Sequence, residues 1–414
     1  MSDIYTTIAD CRLCGCADLA EVVHLGERPL SGTFPLPDES VPSGPLRLLR
    51  CQACGLVQLG ENYRPDLLYG ENYGYRSGLN RAMVEHLQDL ARYAARVADL
   101  QPGDLVVDVG SNDGTLLRSY PTKGLSKVGI DPTAAKFREH YEPEVEVYPG
   151  FFSGEAIEAL GIACKARIVT SIACFYDLER PLAFVNDVLE ALADDGIWIS
   201  EQSYLPAMIQ AHAYDTICHE HLEYYRLADF AFIARLYGLQ ILDVAMNDVN
   251  GGSFRVTLAR EGAPYVGNPA KVNETLAAED RDYGWLCVPR PMRDLAGWLP
   301  GHRDALLSTL ANFKARGKTV MGYGASTKGN VLLNYCGIGP DLLPAIAEVN
   351  EDKFGRVTPG SAIPIIPEAE ARERADAFLV LPWHFRREIC RKEEGFLLSG
   401  GQLIFPLPEV EVIG

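Results

Sequence analysis

The chain lacks any apolar run approaching the roughly 18 residues that a membrane-spanning helix requires. Its first residues, Met1-Ser2-Asp3-Ile4-Tyr5, also lack the cationic-then-apolar layout of a secretory leader. Both absences predict a cytoplasmic protein with no membrane partner. Positive charge is scarce too: 38 Lys and Arg stand against 56 Asp and Glu, a net charge of −18. A nucleic-acid partner is excluded, because a phosphate backbone must meet a basic surface. An anionic small molecule is still admissible, but its cations must be gathered locally. Cysteine is not scarce. Eleven are present, and paired spacing in a reducing compartment favours metal binding over a disulfide framework.

Two pairs, Cys11-Arg12-Leu13-Cys14 and Cys51-Gln52-Ala53-Cys54, are each followed by glycine. Each supplies two thiolates from one tight turn, and four thiolates make a tetrahedral zinc site closed to water, a staple rather than a catalyst. A redox dithiol is the competing reading, disfavoured by the presence of two matched pairs. The 36 residues between the pairs exceed a zinc-ribbon spacing, and the proline-rich run Pro29 to Pro45 reads as an inserted irregular loop. Tyr69 to Ser77 is then aromatic and polar without periodicity. Leu79, Met83, Leu87, Leu90 and Ala94 follow at helical spacing over about 79–99.

The organising stretch is Val106 to Leu117. An apolar run ends in Asp108-Val109-Gly110-Ser111-Asn112-Asp113-Gly114 and enters a segment, Leu116 to Tyr120, that reads as helix. This is a buried strand, a glycine turn and a helix start, which together let a ligand approach the backbone. One strand later Val128-Gly129-Ile130 stops at Asp131, placed to accept two ribose hydroxyls. The spacing differs from the dinucleotide fingerprint. Strands and helices alternate from about 103 to 260, which predicts a doubly wound parallel sheet with ligands at the strands' carboxyl ends. There Phe152 can cover an adenine, and Ser171 closes the fourth strand.

Tyr214 to Tyr225 is the least ordinary stretch: two of the eight histidines, His219 and His221, flank Glu220 among tyrosines. A histidine oriented by a neighbouring carboxylate suits proton abstraction at neutral pH. A second metal site and a structural polar network stand as alternatives. Asn250-Gly251-Gly252 is either a plain tight turn or a place where substrate meets backbone. A second α/β unit opens at Thr319 to Asn330, with Tyr323 in its glycine turn and Lys328 in the first turn of its helix. Lysine opposes the helix dipole there, so it asks for an anion. Asn350, Lys353 and Arg356 follow the next strand. Lys328, Lys353 and Arg356 are the local cations that a diphosphate would need, with solvated surface charge as the bland alternative.

Together these pieces resemble the sugar C-methyltransferases that act on nucleotide-linked 4-keto-6-deoxyhexoses. The resemblance rests on Cys11, Cys14, Cys51 and Cys54, on Asp108 to Gly114, on Glu220-His221, on Asn250-Gly251-Gly252, and on Gly322-Tyr323-Gly324-Ala325 with Lys328. It implies an α/β protein: a zinc-binding domain over 1–70, and a class I methyltransferase Rossmann-like sheet over 71–260, with linker and helix in 71–102. A second Rossmann-like α/β domain over 261–414 would help hold the nucleotide sugar. It further implies S-adenosylmethionine as methyl donor, bound by Asp108, Gly110, Asn112, Asp113, Gly114, Asp131, Phe152 and Ser171. The implied reaction is methylation at C3 of a nucleotide-diphosphate 4-keto-6-deoxy sugar, with His221 as base, Glu220 beside it, and Tyr75 and Tyr224 as catalytic hydroxyls. Substrate would lie against Asn250, Gly251, Tyr323, Lys328, Asn350, Lys353 and Arg356. Where some members carry a tyrosine this chain has Cys218, and where some carry a histidine it has Asp177, so either Tyr224 or Tyr176 supplies the missing hydroxyl or the substrate differs. A monomer or weak oligomer is expected. The competing activity is O- or N-methylation of a sugar or small natural product, and the non-catalytic reading is a zinc-ribbon adaptor.

Overall fold

The computed structural model describes residues 4–69, 75–161, 164–283 and 290–414. Residues 70–74 of the tyrosine-rich stretch lie outside them.

The N-terminal part is β. Strands β1 (Tyr5–Thr7), β2 (Leu19–Pro29), β3 (Ser43–Cys51), β4 (Val57–Leu59) and β5 (Glu61–Tyr63) follow in order. β2 and β3 pair antiparallel from Leu19↔Cys51 to Pro29↔Ser43. The proline-rich insert is therefore looser only between these arms, over 30–42, and its two ends are strand rather than loop. Ladder pairing holds both arms, with Val23, Leu46 and Leu48 buried on them.

Helix Arg81–Val97 comes next, capped by the Asn80 side chain, which accepts from Ala82 N and Met83 N. Met83, Leu87, Leu90 and Ala94 pack against Val106, Ile168, Ile197 and Ile199 of the central sheet. Truncating one such leucine to alanine costs about 2–5 kcal/mol. That sheet is built from β6 (Leu105–Val109), β7 (Ser126–Ile130), β8 (Glu146–Tyr148), β9 (Ala166–Ile172) and β10 (Leu192–Ser203). Next comes the two-residue β11 (Glu223–Tyr224), then β12 (Leu239–Asn247) and β13 (Ser253–Arg260). The sheet order is β12-β13-β10-β9-β6-β7-β8. β6 to β10 run parallel, and β13, antiparallel to both β10 and β12, forms the edge with β12. The order reverses beside β6, which places a ligand crevice at its carboxyl end. β11 joins the N-terminal sheet instead, pairing with β4.

The helix expected over Leu116 to Tyr120 is a single 3-10 turn, Leu117–Ser119. Pro121 follows Tyr120 and pushes it to extended backbone (ψ 127), and Arg118 Nη1 donates back to the Asp113 carbonyl.

Helices Pro269–Tyr283 and Arg290–Ala315 lead to the second sheet. It comprises β14 (Val320–Tyr323), β15 (Ile346–Glu348), β16 (Ile365–Pro367), β17 (Ala377–Val380), β18 (Gln402–Phe405) and the antiparallel β19 (Glu411–Ile413), in the order β16-β15-β14-β17-β18-β19. Two shared cores bind the parts together. Leu46, Leu48 and Leu59 pack in one cluster with Tyr214, Ile217 and Val331, and Cys11, Cys51 and Leu56 pack in another with Phe175, Trp198 and Tyr225. Among the described residues no helix is long and apolar enough to cross a membrane.

Candidate active site

The chain leaves β6 at Gly110 in the left-handed region (φ 73), where a Cβ would sit 2.9 Å from the Cys174 Cβ. Asn112 follows at φ 50, and its backbone N–H donates to Asp131 Oδ2 at 2.9 Å. Asp131 Oδ1 accepts from the Thr133 N–H and hydroxyl, at 2.6 and 2.5 Å. Asp131 lies at the end of β7 and lines a cleft with Asp108, Gly110, Asn112, Phe152 and Tyr75. Asp108 accepts from Thr170 Oγ1 at 2.6 Å, and burial pushes its carboxyl up to about 7.

Three expected cofactor residues stand behind this wall. Asp113 turns to the preceding segment, accepting from Gly78 N at 3.0 Å between the guanidinium groups of Arg76 and Arg118. Gly114 packs on the Tyr141 ring. Ser171 Oγ is inside the sheet, donating to Ser200 Oγ at 3.1 Å and accepting from Trp198 Nε1 at 3.0 Å. Asn112 shares the task of Asp113: its Oδ1 accepts from Ser77 N at 2.9 Å and its Nδ2 donates to the Tyr75 carbonyl at 3.2 Å. The motif thus binds the chain that closes over it.

Sequence reasoning missed Glu201 and Gln202, which line the same cleft from the end of β10. His86 Nε2 bonds Glu201 Oε1, while Glu201 Oε2 and Gln202 Nε2 are buried without a protein partner. Polar ends on a buried strand terminus were the available signal. A glycine-walled cleft with orphaned polar atoms fits a polar ligand.

The four cysteine sulfurs of the N-terminal pairs all lie within 4.8 Å of one another. A tetrahedral zinc with bonds of about 2.3 Å sets its sulfurs roughly 3.8 Å apart, so the cage fits. A hydrogen bond from Cys54 draws Cys11 down to about 5, while Cys54 itself is pushed far up by Cys11 and by burial. Thiols this crowded need a dication to ionise together. Arg12, inside the first knuckle, donates to the carbonyls of Leu59 (2.7 Å) and Leu222 (3.2 Å) and faces Glu223 at 3.6 Å. The zinc turn therefore braces the segment that carries His221.

In that segment Glu220 and His221 look different ways. A Cβ on Gly32 would sit 1.7 Å from Glu220 Oε1, so glycine there makes room for the carboxyl, which burial raises to about 7. His219 turns to the proline-rich loop, its Nδ1 accepting from Ser31 N at 3.3 Å, which makes it a buried strut. His221 Nδ1 lies 2.8 Å from the Thr216 carbonyl. A carbonyl only accepts, so Nδ1 carries the proton and Nε2 keeps its lone pair. The orienting group is thus Thr216 rather than the neighbouring carboxylate. The Tyr176 ring meets the imidazole edge-on at 4.4 Å, and Tyr224 donates its hydroxyl to the same Thr216 carbonyl at 3.4 Å. Burial, and then the Lys328 cation, hold His221 down at about 3. It is a neutral imidazole. Asp177 lines the cleft nearby, its carboxyl pushed well up by burial and then by Glu220.

The expected substrate residues divide. Asn250 (φ 55) lines the cleft, and Gly251 (φ 89) packs toward Trp383. Lys328 Nζ donates to the Asn250 carbonyl at 2.7 Å, inside the seam between the two sheets. The others lie at the second glycine turn and are engaged there. Lys353 Nζ donates to the Ala325 carbonyl at 2.8 Å and stacks on Phe34. Arg356 donates to the carbonyls of Phe34 and Asp352. Asn350 accepts from Asp352 N. Tyr323 donates to Glu393 at 3.0 Å. The proline-rich loop meets the cations beside the second glycine turn, because Phe34 offers Lys353 a ring and Arg356 a carbonyl that sequence spacing does not reveal.

Three family models match the chain: a zinc binding domain over residues 11–69, a methyltransferase domain over 75–244, and a C-methyltransferase C-terminal domain over 248–408. The C-methyltransferase NovU of Streptomyces niveus is 35% identical over 419 residues, covering 100% of this chain and 99% of that protein. Among solved structures, a complex of the Haloferax volcanii Trm112 methyltransferase activator with a methyltransferase aligns at 16% identity and TM-score 0.35, over 44% of this chain and 95% of that one. The magnesium protoporphyrin IX methyltransferase of Synechocystis with bound SAM aligns at 15% and 0.33, over 43% and 79%.

Proposed function

Since the chain belongs to the sugar C-methyltransferase family, we propose that it methylates C3 of a nucleotide-linked 4-keto-6-deoxy sugar, with His221 as the base. It is an S-adenosylmethionine-dependent C-methyltransferase with a four-cysteine zinc site. Asp131, Gly110, Asn112, Asp108 and Phe152 would hold the donor, which when bound supplies an electrophilic methyl group.

One observation carries the assignment of the base. The Thr216 carbonyl fixes the Nδ1–H tautomer of His221, so Nε2 keeps the lone pair that can take a proton. A 4-keto group acidifies the neighbouring C–H. His221 takes that proton, the C–H electron pair forms the new C–C double bond, and the carbonyl pair moves onto oxygen. As the oxygen pair re-forms the carbonyl, the C–C double-bond pair would bond the donor's methyl carbon while the methyl–sulfur pair leaves with sulfur, giving S-adenosylhomocysteine. Tyr176 packs edge-on against the imidazole, Tyr224 donates to the Thr216 carbonyl that orients it, and Tyr75, held through Asn112, lines the cleft. Asn250 and Gly251 meet the sugar at the rim. The zinc cage has no open position for substrate and acts on folding alone.

The test is hydrogen exchange. Incubated in deuterated water without methyl donor, the enzyme should exchange the C3 hydrogen of a 4-keto-6-deoxy nucleotide sugar, and His221→Asn should stop this while retaining S-adenosylhomocysteine binding. Exchange at C5, the other flank of the ketone, would keep the chemistry and move the methylated carbon. Methylation without any exchange would replace the reading with O- or N-methylation.

A further inference from the structure

Lys328 sits in the wrong place for a surface phosphate contact. Its helix, Thr327–Cys336, begins at the seam between the two sheets, and its ammonium is directed at the Asn250 carbonyl, part of the cleft rim. That bond uses one of three N–H donors. Behind it stands Asp215, buried, with Oδ2 accepting from Trp383 Nε1 at 2.8 Å and Oδ1 without a partner. The same Trp383 packs against Gly251, so rim, tryptophan and carboxylate form one frame around the lysine.

We infer that Lys328 is the electrophilic residue of the reaction, donating to the substrate carbonyl oxygen as it gains negative charge while His221 removes the adjacent proton. The inference rests on the C-methylation reading above. Three features support it. Lys328 Nζ is anchored on the Asn250 carbonyl of the cleft rim; burial lowers its ammonium while the Asp215 carboxylate opposes that, and its charge adds to burial in depressing His221 and His384. A single half-buried ammonium is a compact point charge suited to one oxygen, whereas a diphosphate calls for several donors in a fork. The third is charge balance. A cation beside a base opposes its protonation, unless a negative charge appears between them in the same step. Proton transfer to Nε2 creates the imidazolium and the enolate oxygen together, so the lysine that suppresses idle protonation of His221 favours the productive one.

Lys328→Met removes the charge at near-constant length. With a dTDP-linked 4-keto-6-deoxy sugar in deuterated water, its exchange rate and kcat should each fall by about 100-fold or more. KM should stay within about threefold, and S-adenosylhomocysteine affinity and zinc content should match wild type. A raised KM with kcat retained would make Lys328 a phosphate ligand and overturn the inference. If Lys328→Met does not fold, Lys328→Gln carries the same two outcomes. Wild-type protein that shows no exchange would sink the parent reading, whereas exchange unimpaired in the variant would sink only this one.

Discussion

The two glycine turns of this molecule are built alike and used differently. Gly110 and Gly324 both lie in the left-handed region, at φ 73 and 78. Each N–H donates at 2.8 Å to the second strand of its sheet, to Ile130 and Ala347. A Cβ on either would meet a residue beyond the fourth strand at 2.9 Å, Cys174 or Pro382. In both sheets a carboxylate ending the second strand accepts a backbone N–H just past the glycine, Asp131 from Asn112 and Glu348 from Ala325, each at 2.9 Å. The difference is what lies in front. Before Gly110 is an open cleft. Before Gly324 are Lys353, tied to the Ala325 carbonyl, and Phe34, delivered by the zinc-bearing part of the chain. The same turn therefore faces a cleft in one sheet and, in the other, a lysine engaged by another part of the chain. A glycine turn specifies a close approach, not what approaches.

The largest effect that would break this comparison is on cofactor binding. Asp131→Ala should weaken S-adenosylhomocysteine binding at least 100-fold, about 3 kcal/mol for lost charge-assisted hydrogen bonds. Glu348→Ala should leave that affinity unchanged and instead cost about 3 kcal/mol of stability, since Lys353 and the Ala325 N–H lose a buried partner. Calorimetric titration and thermal unfolding of both variants separate the two. Equal loss of cofactor affinity would make the second turn a ligand site after all.

Next in size is zinc. Cys51→Ser, or chelation, should cost several kcal/mol of folding energy, seen as lost zinc and a lowered Tm. It should also loosen the second turn before the first, because Phe34 and Pro35 reach Arg356 and Val357 from the zinc-bearing sheet. Amide exchange rising around Ala325 earlier than around Asn112 is the expected order, and the reverse order would show that the second turn does not depend on that sheet.

How much of this was legible in the sequence follows the range of the interaction. The cysteine pairs, the glycine turns and helix Arg81–Val97 are local, and spacing alone marks them. The fate of a long side chain is not local. Lys353 and Arg356 read as free cations because nothing near them in sequence announces Phe34. β11 is two residues whose pairing with β4 belongs to the tertiary fold. Glu201 meets His86 only because a helix crosses the strand end. Glu220 and His221 were paired by adjacency, yet consecutive residues in non-helical chain commonly face apart. The stretch Tyr214 to Tyr225 stands out in the sequence, but the partner of its histidine is a backbone carbonyl, which has no sequence signature.

The smallest expected effect tests whether the open cleft is also a strained one. Burial raises Asp108 to about 7, against roughly 3.9 in an unfolded chain. A carboxyl raised on folding favours the folded state most fully below the unfolded value, and that advantage fades as pH climbs through the folded value. Asp108 should therefore contribute a loss of stability between about pH 4 and 7, at most a few kcal/mol by linkage. Asp108→Asn keeps an acceptor for Thr170 Oγ1 and cannot ionise, so its unfolding free energy should fall less than that of wild type over this window. Urea unfolding at a series of pH values gives the difference directly. If the two curves run parallel, the Asp108 carboxylate is already solvated through the cleft, and the cleft holds water against the strand end. If they diverge with rising pH, the floor of the ligand site carries a cost that bound cofactor can relieve, whereas Gly322 of β14, directly before the turn residues Tyr323 and Gly324, carries no such group.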